Sequence, residues 1–118
     1  MHGTLIVFIP KEEEIVGNVM DEFYDEIMYG ISADYIGRRM HGEIAESIYQ
    51  NFTNALSNID TETMSVKKAM EYRMDYPVAL FEGMYPTVFR SFVEYKAYCD
   101  LYGLSVEGYK WQVWDFHF

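Results

Sequence analysis

The chain has very little cysteine, histidine or proline and no surplus of positive charge, and each shortage closes off a class of protein. One cysteine, Cys99, excludes an intrachain disulfide and any thiolate metal cluster, and it fits a reducing compartment. Three histidines, His2, His41 and His117, leave little material for hydrolytic or metal-dependent schemes. There is no glycine-rich dinucleotide fingerprint, no Walker loop, no Gly-x-Ser-x-Gly elbow, no Cys-x-x-Cys and no His-Glu-x-x-His. Pro10-Lys11-Glu12 cuts the first apolar run too short for a signal peptide. No other stretch approaches the roughly 20 apolar residues of a membrane span. The expectation is a non-enzymatic cytoplasmic protein, without cofactor or metal and without contact to membrane.

What is present is aromatic and acidic. Half of the 118 residues are hydrophobic, enough for one core, and residues 1–118 read as a single domain with no repeat or linker. Nineteen acids against nine bases give a net charge of −10. The excess is uneven, because residues 1–37 carry eight acids and one base. Such a chain repels phosphate backbones, which argues against direct nucleic-acid binding, and attracts basic protein surfaces. Eleven tyrosines supply flat amphipathic groups of the kind enriched at interfaces.

Periodicity predicts an α+β fold with the order β-α-α-α-β-α-β. Thr4–Ile9 reads as a strand covered on both faces. Over residues 11–29, Val16, Val19, Met20, Phe23 and Ile27 share one helical side. Gly30 is a plausible stop, and Ser32 reads as the cap of a second helix with a break near Gly42. Ile44, Ile48, Phe52 and Leu56 predict a helix to about Ser57, and Ser65 opens a shorter one ending before Pro77. Val78–Phe81 is a short strand, and Thr87 is expected to cap a helix through Tyr102 that stops at Gly103. Tyr109–Phe118 alternates like a strand with a change of phase, which a bulge near Val113-Trp114 would reconcile. The whole is expected to be a small sheet of two to four strands, including both terminal strands, packed with four or five helices. A second copy of the chain is a candidate to cover what the helices leave bare.

Candidate sites follow from these placements. Glu14, Asp21, Glu22, Asp25 and Glu26 form an acidic ridge on the first helix, without the interleaved lysines of a salt-bridged face. On a straight helix, positions 14, 21 and 25 stand roughly 6–10 Å apart along the axis, near the spacing of successive phosphates. The plain alternative is a solvated face that keeps an aromatic-rich chain in solution. Arg38-Arg39 is a pair able to grip a phosphate or carboxylate, unless Asp34–Arg38 and Arg39–Glu43 pair along a continuing helix. His41, Glu43 and Glu46 suggest a weak metal or acid–base set, and His2 and His117 would meet only if the terminal strands pair. Cys99 has no nearby cation to activate it and reads as a packing residue. The aromatic tail with Trp111 and Trp114 reads as the last core strand rather than an exposed anchor.

The leading expectation is a small acidic protein-binding modulator. In its sharpest form it inhibits a nucleic-acid-handling protein through the ridge, in the manner of phage or mobile-element anti-restriction and anti-CRISPR proteins. The alternatives are an assembly subunit that dimerises through its aromatic strands, or a small enzyme or ligand-binding domain without a recognisable motif.

Overall fold

The apolar run that opens the chain becomes a central strand, β1 (His2–Pro10), whose middle has no exposed side. In a strand alternate residues face opposite ways. Leu5, Val7 and Ile9 thus enter one core, while Ile6 and Phe8 enter another on the opposite face. The structure, a computed structural model, describes residues 1–11, 19–59 and 76–118. Beyond β1 these form α1 (Val19–Gly30), β2 (Tyr35–Met40), α2 (Gly42–Ser57), β3 (Val78–Phe81), β4 (Pro86–Phe89), α3 (Phe92–Tyr102) and β5 (Tyr109–His117).

The strands make one mixed sheet in the order β2-β5-β1-β3-β4. β1 pairs antiparallel with β5 along its whole length, from His2 opposite His117 to Pro10 opposite Tyr109. On its other side it pairs parallel with β3, Ile6 opposite Val78. Both terminal strands share the sheet, as expected, and they pair directly. Helix α1 lies on the face of Leu5, Val7, Trp114 and Phe116, contributing Met20, Phe23 and Ile27. The opposite face, with Ile6, Phe8 and Val113, is covered by Ala45 and Phe52 of α2 and Phe92, Val93 and Tyr95 of α3. Phe8 is the hub there, its ring 5.6 Å from Tyr95 and 6.0 Å from Phe52.

Several expectations need correction. The α+β class stands, but the sheet has five strands rather than two to four, and the described residues contain three helices rather than four or five. Ser32 caps no second helix. It takes a left-handed φ of 58° and closes α1 instead. The Ser32 N–H donates to the Tyr29 carbonyl and the Ala33 N–H to Met28, a Schellman closure that leads straight into β2. Gly30 stays within α1, and what it supplies is close approach, because a Cβ built on it would stand 2.5 Å from Val88 Cγ1 on β4. Thr87 lies in β4, and the α3 cap is Ser91, whose hydroxyl accepts from the Glu94 N–H while the Glu94 carboxylate accepts from the Arg90 N–H. Gly103 ends α3 at a φ of 62°, as expected.

The expected bulge sits in a different strand. β5 runs against β1 without interruption, and the register shift lies in β2 between Ile36 and Arg39. The phase change in β5 has another cause. Val113 faces the core under α2 and α3, Trp114 and Phe116 face the core under α1, and Asp115 and His117 return to the Val113 side among polar neighbours. The helix expected after Ser65 lies outside the described residues. No described helix is long and apolar enough to cross a membrane.

Candidate functional site

Helix α1 turns its apolar side to the sheet, which leaves Asp21, Glu22, Asp25 and Glu26 exposed on the outside. No basic residue occupies its last turn. Among the described residues the ion pairs engage Asp34, Asp100 and Asp115, and none reaches these four carboxylates. The helix is kinked at Phe23, where φ is −114° and ψ is 20°. Asp21 and Glu22 precede the kink and Asp25 and Glu26 follow it, so the straight-helix spacing does not carry across the ridge. Glu14 lies outside the described residues. Exposed Tyr29 follows the acids along the helix, and exposed Tyr85 packs against the apolar side of α1. Tyr29 stands one turn after Asp25, and the Tyr85 ring lies 5.8 Å from that of Phe23.

A second polar group forms where the chain ends meet. His2 and His117 oppose each other in the β1–β5 ladder, their rings edge to face at 5.4 Å. The two Asp115 carboxylate oxygens each lie 3.2 Å from His2 Nδ1, and Asp34 Oδ2 lies 3.1 Å from His117 Nδ1. Tyr35 stacks on His117 at 5.2 Å. The sequence raised the two histidines as meeting only if the terminal strands pair, and it did not join Asp34, Tyr35 or Asp115 to them. The available signal was Asp115 itself, an acid interrupting an aromatic run. Among the described residues no group of three or more His, Cys, Asp or Glu side chains could hold a metal ion. The set His41, Glu43 and Glu46 does not converge either: His41 is the α2 N-cap residue, makes no side-chain cap, and is exposed together with both glutamates.

Arg38 and Arg39 stand in β2, not on a helix, so the four-residue ion pairs with Asp34 and Glu43 do not form. Both are exposed and line a shallow cleft of about 250 Å³ with Met40, His41 and Ile44. A neighbouring cleft of about 170 Å³ shares Arg39, Met40 and His41 and reaches Glu46, Trp111 and Gln112.

Cys99 is half-buried against the α3 side of the core. Burial pushes its thiol upward, with Asp100 adding in the same direction and a hydrogen bond with Tyr95 opposing. A nucleophilic thiol needs the reverse setting. Trp114 is buried and Trp111 stacks on Tyr49 at 4.3 Å, so the aromatic tail is a core strand.

No protein-family model matches the chain, and no curated protein and no solved structure is significantly similar to it.

Proposed function

We propose that the protein is a small acidic protein-binding modulator that acts in the cytoplasm, inhibiting a nucleic-acid-handling protein by presenting the outer face of α1 to a basic groove. One observation carries this reading: four exposed carboxylates stand within about two helical turns, with no counter-charge of their own among the described residues. Asp21 and Glu22 before the kink and Asp25 and Glu26 after it remain like charges close together on one exposed helix, so they repel one another. A groove evolved to hold phosphates would relieve the repulsion and gain the charge pairs. Tyr29, one turn after Asp25, supplies apolar contact area of the type found in binding hot spots. Anti-restriction and anti-CRISPR inhibitors are the kind of protein this describes.

The rival reading, a dimer joined through aromatic strands, has less support. α1 covers one face of β5 and α2 with α3 cover the other, so Trp111 and Trp114 need no second chain to shield them.

The test is capture from a lysate of the native host at low salt, elution with a salt gradient, and competition with DNA or RNA. The expected result is a nucleic-acid-binding protein that elutes with steep salt dependence and competes with polynucleotide. Asp21→Asn with Asp25→Asn should weaken that binding at least about tenfold, as loss of two interfacial charge pairs does. Retention of full affinity by the double variant would sink the proposal.

A further inference from the structure

We propose that the cleft between β2 and the start of α2 is a binding site for a small organic phosphate, with the phosphoryl group on Arg38 and Arg39 and its body against Met40 and Ile44. The argument begins with charge. In a protein of net charge −10, bases are scarce, and two adjacent arginines are expected to be consumed by neighbouring acids. They are not. The strand conformation of residues 35–40 removes the helical spacing that would have paired them, and neither arginine forms an ion pair among the described residues.

Local geometry gathers them. Successive residues of a regular strand point to opposite faces, which would separate Arg38 from Arg39. The irregularity sets Gly37 and Arg38 against the single residue Asp115, with Arg39 opposite Trp114, but β2 is the edge strand and both arginines line one cleft of about 250 Å³ there. His41 also lines this cleft. Two arginines lining one cleft suit an anion with three terminal oxygens and up to two charges, whereas a carboxylate is satisfied by a single guanidinium fork.

The remaining walls define the rest of the ligand. Ile44 is 63 % exposed although it lies in a helix whose other face is core, and with Met40 it gives the cleft an apolar side. A bare inorganic anion leaves that surface unused. A phosphate ester with a compact apolar or flat body covers it. The neighbouring cleft is excluded as the phosphoryl seat because Glu46 lines it. A polynucleotide is disfavoured because its phosphates would extend beyond the cleft into the field of an acidic protein.

The test is a titration of the isotopically labelled protein, followed by amide NMR shifts, with phenyl phosphate, inorganic phosphate, benzoate and a short oligothymidylate. The expected result is saturable binding of phenyl phosphate, with shifts centred on residues 36–46 and affinity several-fold above phosphate and benzoate. Arg38→Gln with Arg39→Gln should lower that affinity about tenfold or more, since each charge-assisted hydrogen bond is worth about that factor. Ile44→Ser should remove only the advantage of phenyl phosphate over phosphate. Both arginines are exposed and unpaired among the described residues, so an unchanged circular-dichroism melt will show that the variants fold. Equal binding of phosphate and phenyl phosphate, an unchanged affinity in the arginine variant, or tighter binding of the oligonucleotide would each overturn the proposal.

Discussion

Replacing Gly30 by alanine tests the seating of α1, on which the direction of the acidic ridge depends. The new methyl would lie 2.5 Å from Val88 Cγ1 and 2.8 Å from Val88 Cβ. Valine is stiff at χ1 and its Cβ is fixed to a sheet strand, so the side chain cannot swing clear and the helix must lift. Overpacking of this kind costs about 1–3 kcal/mol. Alanine returns up to about 1 kcal/mol of helix propensity over glycine, less at a helix end. Gly30 has no positive φ that would add strain. The net expectation is a loss of about 1–2 kcal/mol. At about 2.1 cal/mol/K of unfolding entropy per residue, the midpoint should fall by roughly 4–8 °C. Calorimetry or a circular-dichroism melt reads this directly. The double variant with Val88→Ala supplies the check, because removing the obstructing methyls should recover about 1 kcal/mol relative to the sum of the single changes. An unchanged midpoint, or strict additivity, would show that α1 does not rest on β4 as described.

Four further outcomes follow from the same structure. Asp21→Asn with Asp25→Asn should leave stability unchanged or raise it by a few tenths of a kcal/mol in denaturant titration, even while it weakens partner binding; a clear loss of stability would mean the carboxylates hold the helix in place. Ser91→Ala should cost about 1 kcal/mol by removing the α3 cap, measured in urea, and Ser91→Asp should largely restore it. Phe52→Ala should cost about 3–5 kcal/mol, because a fully buried ring surrounded by Phe8, Tyr49, Tyr76 and Tyr95 leaves a cavity. Stability should fall as pH rises from 10 towards 12. The hydrogen bond to Glu82 pushes Tyr98 up to about 12 from its ordinary 10.0, so the folded state holds a proton that the unfolded chain releases. That contribution is complete below pH 10, and Tyr98→Phe should flatten the decline measured by denaturant midpoints.

Much of the frame was legible because its signals are local. The unbroken apolar run of Thr4–Ile9, the four-residue recurrence from Ile44 to Leu56 and the stop at Gly103 each announce their element. β2 was not legible: Ile36 and Met40 point to opposite cores across an inserted residue, so the two-residue period is absent. Ser32 has a cap residue's chemistry but serves as a helix closure, and only the main-chain path decides between the two. β4 is four residues at an edge, and Val88-Phe89 followed by Phe92-Val93 also fits a helical stripe. The sequence did contain the deciding feature, the Ser91-x-x-Glu94 box, which places the helix start after β4. The carboxylates of α1 were readable as a ridge. The cleft at Arg38 and Arg39 was not, because it exists only once β2 and α2 meet.

The placement of β1 and β5 side by side in the middle of the sheet bears on how the protein can be made. Their registers join residues roughly a hundred positions apart, so most of the chain must close into a loop before the central ladder can form. Until Tyr109–His117 has left the ribosome, Leu5–Ile9 is an apolar strand without its longest partner, the sort of segment on which chaperones and aggregation compete. Synthesis of this fold therefore has a vulnerable period lasting from the emergence of β1 until β5 follows it, and a block near residue 108 should yield a sticky fragment rather than a partly working protein.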